Sequence, residues 1–453
     1  MSKLQRTLFH VTYGLLPISS PLSSLATSTA PPLDPASSTS MPDLPDSLVP
    51  PSSTPQRPSS RPGSTHELGE PSSQGKDFSF LLDASIYHPL SQLDTPPPLR
   101  QQLPPPPTAD TPLQESLTQL DALLSRGHFL SVASLAASIL VSGSVLPTDA
   151  RTIFELLALR YSCLELTGNA MLAAQESKAL EDLNSAFYYV DVPPQSSHPE
   201  ADATGPPLQQ HIIPFALRLQ ALRLQAIGFS DPRRGVSTLY DLGLECRAHA
   251  TQPSTTSEER SIWSARLSEI GIRVVNALIE MGDLDCAART LATLKPSDPQ
   301  NTSTWKTRMI LLYLKIGDLS GAELLLQGPD ATDEQTRLLR PLVTFVEGQY
   351  EDAALAWERS LQSVISDEET ALIKQNLAVA YLYSGQIEKT RHTMEGLLDE
   401  GNSFSSLITN LATLYELSSD RSRELKVALA GRVAQQDPNS ERGSTKTNID
   451  FKI

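Results

Sequence analysis

The sequence predicts an all-α fold, a solenoid of helical repeats behind a long disordered N-terminal tail. Three observations lead to this prediction. Of the 36 prolines, 22 precede Leu113, amid Ser and Thr runs with few large apolar residues. From Leu113 onward, apolar residues recur at three- and four-residue spacing, which is typical of amphipathic helices. Glycines that follow an apolar segment then recur at intervals of 35, 31 and 37 residues, a period that indicates stacked helical pairs.

The predicted tail covers residues 1–112. It contains proline runs at 96–98 and 104–107, and such a composition cannot bury enough apolar surface to offset the entropy of ordering. One apolar island, Phe78 to Tyr87, has two interpretations, a short docking motif or a chance cluster within disorder. Residues 1–30 also remain open, because a broken apolar stretch after Lys3 and Arg6 fits a weak presequence, an unstructured start or a misassigned start.

The rest of the chain divides by composition. We predict degenerate helical repeats over 113–190, a Pro/Ser-rich loop over 191–210, a repeat solenoid with a C-terminal capping helix over 211–431, and a polar tail over 432–453. The usual signs of strands, short alternating β-branched runs ended by Asn-Gly or Asp-Gly turns, are not found in the sequence. We therefore predict helices throughout the folded part.

Four units share one spacing of a glycine, a small residue and large apolar residues. The glycine lets one helix end in a left-handed conformation because it has no Cβ, and the small residue five positions later lets the next helix approach closely. The glycines are Gly282, Gly317, Gly348 and Gly385, followed by Ala287, Ala322, Ala353 and Thr390, with Leu278, Tyr313, Thr344 and Tyr381 four residues before them and Leu291, Leu326, Trp357 and Met394 nine residues after them. Gly127 and Gly168 begin degenerate matches. This pattern resembles the tetratricopeptide repeat, whose helical pairs stack into a superhelix.

Composition and motifs argue against catalysis and against nucleic-acid binding. The formal charge is −16, with acidic and basic residues interspersed, which does not suit a phosphate backbone. The three cysteines are far apart in sequence, which argues for a reducing compartment. Gly443 to Thr447 lacks the spacing of a phosphate-binding loop, and Cys246 with His249 lacks a second pair of metal ligands. We therefore predict no catalytic residue, no metal, no cofactor and no enzyme activity.

Four segments carry a more specific resemblance. They are Ile-Pro-Phe-Ala-Leu-Arg-Leu at 213–219, Ile-Trp-Ser-Ala-Arg-Leu at 262–267, Asn-Leu-Ala-Val-Ala-Tyr-Leu-Tyr-Ser-Gly at 376–385 and Asn-Leu-Ala-Thr-Leu-Tyr-Glu-Leu at 410–417. Together they resemble subunit 12 of the trafficking protein particle complex, the TRAPP tether, over about residues 115–450.

The resemblance implies a non-catalytic scaffold subunit in a complex that activates a Rab GTPase and tethers vesicles between endoplasmic reticulum and Golgi, with a link to autophagy. The implied partners are the other TRAPP subunits, especially the large form-specific ones, with the Rab GTPase reached only indirectly. The implied location is cytoplasmic and peripheral to endoplasmic reticulum and Golgi membranes. The candidate partner-binding or capping residues are Tyr415, Glu416, Leu417 and Arg421.

The alternative function is a co-chaperone or cell-cycle adaptor of the same repeat type that binds linear peptides. Such modules grip a peptide carboxylate with Lys and Asn on the first helix of successive units. The matching positions, ten and six residues before each glycine, are instead mostly apolar: Ile272 and Asn276, Thr307 and Leu311, Leu338 and Leu342, Gln375 and Val379. This face suits a packed protein partner better than a charged peptide end.

Overall fold

Helices account for nearly all of the regular structure. The computed structural model describes residues 75–93, 95–108, 111–192, 208–252, 255–296, 302–327, 333–363 and 366–436, and the described residues from Lys76 to Gln436 belong to one compact unit. Predictions for residues 1–74, 193–207 and 437–453 lie outside this description. The described residues form sixteen α-helices and one two-stranded ribbon, which confirms the predicted fold class.

The first half of the described chain contains eight helices and the ribbon. They are α1 (Leu113–Ser125), α2 (Phe129–Val141), α3 (Ala150–Leu166), α4 (Ala170–Glu176), β1 (Tyr189–Val192), β2 (Leu208–His211), α5 (Phe215–Gly228), α6 (Pro232–Thr251), α7 (Ser257–Met281) and α8 (Leu284–Thr293). The second half contains α9 (Thr302–Ile316), α10 (Leu319–Leu326), α11 (Asp333–Val346), α12 (Tyr350–Ser360), α13 (Asp367–Tyr383), α14 (Ile387–Asp399), α15 (Ser405–Ser418) and α16 (Ser422–Gln435). Successive helices pack against each other.

The turns inside the helical pairs share one hydrogen bond. The residue after the glycine donates its N–H to the carbonyl five positions earlier, as in Asp318 to Tyr313 (2.9 Å) and Gln386 to Tyr381 (2.8 Å). The glycine between has a positive φ, 94° at Gly317 and 77° at Gly385. This is the Schellman arrangement, which satisfies carbonyls that the helix end leaves free.

A further repeat, absent from the sequence prediction, lies at α5 and α6. Ser230 takes the place of the glycine with a φ of 54°, and Asp231 donates the same hydrogen bond to Ala226 at 3.0 Å. Five residues after Ser230 stands Gly235, where an added Cβ would lie 2.6 Å from the Ala226 Cβ. The glycine pattern missed this unit because a serine holds the turn and a glycine replaces the small alanine.

The turn geometry predicts opposite effects for two Gly→Ala substitutions. Gly317→Ala should cost about 1 kcal/mol of unfolding free energy, because an L side chain is strained at positive φ. Gly396→Ala should raise stability by about 0.5–1 kcal/mol, because Gly396 lies inside α14 with open space at its Cβ position. Urea denaturation of both variants measures the two shifts. Equal shifts would contradict the assignment of the turn.

The buried side chains form two core clusters that meet at α9. Met309 and Leu312 of α9 belong to the first cluster, with residues of α1 to α8. Ile310 and Leu314 belong to the second, with residues of α10 to α16. Because α9 contributes to both clusters, the apolar interior runs through the described solenoid rather than ending between separate domains.

The structure corrects the prediction that the folded part contains no strand. β1 pairs antiparallel with β2, so that Tyr189 lies opposite His211, and the two strands cross both borders of the 191–210 region predicted as a loop. The Tyr188 hydroxyl donates to the Leu180 carbonyl at 2.8 Å, and the Ile212 N–H donates to the Tyr188 carbonyl at 2.8 Å. Each strand has four residues, and these contacts with neighbouring segments hold the ribbon in place.

The structure also corrects the prediction of disorder up to residue 112. Residues 76–93, which we name the strap, pack on the first helices. Phe78 and Leu81 are each only 1% exposed within the first core cluster, and the Phe78 N–H donates to the Pro147 carbonyl at 2.8 Å. The Phe78 ring meets the rings of Phe154 and Phe187 edge-on. The apolar island therefore docks within its own chain, where burial offsets the entropy of ordering.

Residues beyond the strap bridge distant helices. The turn Pro97–Leu99 packs on α16, with Leu99 against the second core cluster. Ser131 of α2 donates to the Gln101 side chain at 3.1 Å. This segment thus contacts both an early and the last described helix. At the other end, α16 continues to Gln435, past the predicted start of the polar tail at 432.

Phe78→Ala should release the strap. The substitution removes a fully buried ring, so hydrogen exchange at the amides of Phe78 and His88 should become faster than in the parent chain. Leu93→Ala is the matched control, because Leu93 lies in the same segment with 82% of its surface exposed and its loss should leave exchange at Phe78 and His88 unchanged. Unchanged exchange in Phe78→Ala would contradict the docking of the strap.

Candidate interaction surfaces

The repeat positions predicted from the sequence lie inside the packed helices. Ala287, Ala322 and Ala353 are fully buried, and Trp357 and Tyr381 are almost so. Gly282, Gly317, Gly348 and Gly385 occupy the turns with positive φ. These residues set the spacing of the helices, and their buried side chains leave no surface for a partner.

In the last two of the four units, the positions with which co-chaperones of this repeat type bind peptides are buried. Leu338 and Leu342 of α11 are buried, and so are Gln375 and Val379 of α13. Only the matching positions of α7 and α9 are partly exposed. None of these eight matching positions carries a basic side chain, so they do not form the set that grips a peptide carboxylate.

Two tyrosines tie successive repeats together. The Tyr415 hydroxyl of α15 donates to Glu395 of α14 at 2.9 Å, and the Arg391 guanidinium lies 5.6 Å from the Tyr415 ring centre. The Tyr381 hydroxyl of α13 donates in the same way to Glu358 of α12. Burial, together with Glu358, raises the pKa of Tyr381 to about 12. Burial, together with Glu395, also raises the pKa of Tyr415, so both hydroxyls stay protonated as donors at neutral pH.

The four candidate residues of the C-terminal segment have different surroundings. Tyr415 is buried, Glu416 forms an ion pair with Lys426 of α16, and Arg421 forms an exposed pair with Glu424 at 3.1 Å. Leu417 is 56% exposed and is the only one of the four that presents apolar surface. The segment thus joins α15 to α16, and its capping role stays a prediction.

Two segments quoted for the resemblance, 213–219 and 262–267, meet in space. The Cζ atom of Arg266 lies 4.8 Å from the ring centre of Phe215 and 4.5 Å from that of Trp263. His249 stacks on Trp263, with ring centres 4.3 Å apart and planes 12° apart. We name Phe215, His249, Trp263 and Arg266 the Arg266 cluster. Sequence reasoning treated Phe215, Trp263 and Arg266 as parts of a family signature and considered His249 only with Cys246, so it did not bring the four together.

Next to this cluster, Arg218 of α5 binds Glu245 of α6 through two hydrogen bonds of 2.7 Å each. The Tyr189 hydroxyl also donates to Glu245, at 3.2 Å, so the pair links the ribbon to both helices. Burial opposes ionisation of Glu245, but Arg218 outweighs it and holds the pKa of this carboxyl below its usual value.

A second arginine pair, also missed by sequence reasoning, holds the strap. Arg160 of α3 and Glu176 of α4 are almost entirely buried and joined by hydrogen bonds of 2.6 Å (Nε to Oε2) and 2.5 Å (Nη2 to Oε1). The His88 N–H donates to Glu176 at 2.9 Å, and Arg160 donates to the His88 carbonyl at 3.1 Å. The backbone of the strap thus completes the coordination of a buried ion pair.

The described residues contain no group of three or more His, Cys, Asp or Glu side chains placed to hold a metal. Cys246 is buried, and His249 stacks on Trp263, so the pair considered in the sequence serves packing. Among the helices that the structure describes, none combines the length and the apolar character needed to cross a membrane.

Comparison with known proteins supports a TRAPP relationship. No protein-family model matches the chain. Subunit 12 of the trafficking protein particle complex from Mus musculus is 22% identical over 359 residues, which are 72% of this chain and 44% of that relative. The Homo sapiens subunit is 23% identical over 253 residues, or 51% of this chain and 34% of that relative. The chain therefore spans less than half the length of the curated relatives it matches.

Among solved structures, the TPR domain of P58(IPK) is 13% identical and covers 74% of this chain and 96% of its own. Its TM-score is 0.19, so this superposition supports no inference. The assignment of helical repeats depends instead on the turns and buried small residues described above. The resemblance predicted from the four sequence segments is confirmed: this chain is similar to subunit 12 of the trafficking protein particle complex.

Proposed function

We propose that the chain is a non-catalytic scaffold subunit of a TRAPP vesicle-tethering and Rab-activating complex. The observation that carries this proposal is the similarity to subunit 12 over 72% of the chain. The helical repeats supply what a scaffold needs, an extended surface on a rigid core. In this proposal the other TRAPP subunits, especially the large form-specific ones, bind the chain directly, and the Rab GTPase is reached only through them.

The proposed role is in transport between endoplasmic reticulum and Golgi, with a link to autophagy, at the cytoplasmic side of these membranes. Peripheral contact fits a chain whose described helices hold no membrane-spanning segment. The co-chaperone alternative has less support, because Leu338, Leu342, Gln375 and Val379 are buried where a peptide-gripping face would need exposed polar groups.

The test is mass spectrometry of proteins retained by the tagged full chain from a gentle cytosolic extract. We expect large and core TRAPP subunits in amounts comparable to the chain itself. Heat-shock proteins that a short acidic C-terminal peptide releases would favour the co-chaperone instead. A preparation without TRAPP subunits would contradict the proposal.

A further inference from the structure

The Arg266 guanidinium is a half-buried cation without a polar partner among the described residues. No hydrogen bond or ion pair joins it to them, whereas the neighbouring Arg218 makes two short bonds to Glu245. Its contacts are instead with the faces of the Phe215 and Trp263 rings. A guanidinium that packs its flat faces against aromatic rings still has the N–H groups at its edge free to donate hydrogen bonds to another acceptor.

Glu245, the carboxylate that acts electrostatically on Arg266, does not neutralise it. Both oxygens of Glu245 already accept from Arg218, and one of them also accepts from Tyr189. Burial is the main cause that lowers the pKa of Arg266, which indicates a charge that has lost part of its hydration. An incoming anion would compensate this charge and satisfy donors that now lack a protein acceptor.

The surroundings favour one kind of anion. Ile262 lies one helical turn before Arg266 on the same face of α7, and 51% of it is exposed. His249 has its pKa lowered, mainly by burial, so it adds no second positive charge at neutral pH. A single cation beside apolar surface suits a carboxylate followed by an apolar side chain better than a doubly charged phosphate.

We propose that the Arg266 cluster is the docking site for an acidic side chain, Asp or Glu, that a protein partner presents next to an apolar residue. The carboxylate binds the guanidinium edge through two parallel hydrogen bonds, and the apolar neighbour packs on Ile262. This inference deepens the proposed scaffold role, on which it rests, because it assigns one contact through which a partner subunit is held.

The probes are capped synthetic peptides that carry one Glu beside a Leu, with counterparts in which Gln or phosphoserine replaces the Glu. Fluorescence anisotropy measures their binding to the full chain. We expect Glu peptides to bind about tenfold more tightly than Gln peptides, the difference that one charge-assisted bidentate contact supplies. Arg266→Gln should abolish this preference.

Arg273→Gln is the matched control. It removes the same charge from the same helix, but Arg273 is already paired with Glu269 at 2.8 Å, so the preference for Glu should remain. Arg266→Lys keeps the charge and the aliphatic stem, and it should reduce the preference because an ammonium cannot form the bidentate contact. This variant also keeps the test valid if Arg266→Gln does not fold.

Three results would overturn the proposal: equal or no binding of Glu and Gln peptides, a preference that Arg266→Gln retains, or tighter binding of phosphoserine than of Glu. Failure of the scaffold role is a separate observation, since it appears as missing TRAPP subunits around the unmodified tagged chain. Glu-selective binding together with missing TRAPP subunits would keep the Arg266 site and reject the TRAPP assignment.

Discussion

Glu176→Ala should lower the free energy of unfolding by about 3–5 kcal/mol, because it leaves the buried Arg160 charge without its counter-ion. The loss also removes the acceptor for the His88 N–H, so the strap should open together with the pair. Urea denaturation measures the first effect, and hydrogen exchange of residues 76–93 measures the second.

Two comparisons separate the effect of breaking the ion pair on stability from the effect of removing side-chain volume. The double variant Arg160→Met with Glu176→Leu should be more stable than Glu176→Ala alone, because no charge then remains buried without a partner. Arg151→Ala, which breaks the exposed pair with Glu155, should leave the unfolding curve unchanged. If Glu176→Ala behaved like Arg151→Ala, the buried pair would not hold the strap.

Ala322→Glu should destabilise the chain by about 4 kcal/mol or more. Ala322 is fully buried where α10 approaches its neighbours, so a glutamate there would be crowded and would place an unpaired charge in the core. We expect thermal unfolding, followed by circular dichroism, to begin well below that of the parent chain.

Leu324→Glu is the control for this variant. Leu324 lies two residues further along α10 and is 74% exposed, so the same charge should be accommodated with little change. Equal melting of Ala322→Glu and the parent would show that the repeat register is wrong. The pair of variants thus tests which face of α10 points inward.

The repeats of the second half could be predicted from the sequence because their pattern is local. A glycine such as Gly317 and a small residue such as Ala322 lie within one turn and the start of the next helix. The unit at Ser230 and Gly235 escaped prediction because the same geometry is reached with other residue types. The ribbon escaped because its two four-residue strands depend on contacts with neighbouring segments.

The helical class, the period of the repeats and the resemblance to a TRAPP subunit could all be predicted from the order of the residues. These features depend on neighbouring residues, through helix periodicity and the conformational freedom of glycine. The docking of the strap, the burial of Arg160 with Glu176 and the contact of Phe215 with Arg266 became visible only in the folded chain. The residues in each of these contacts lie on different elements, as His88 and Glu176 do at 88 positions apart. The packing of whole helices, which no local pattern encodes, brings them together.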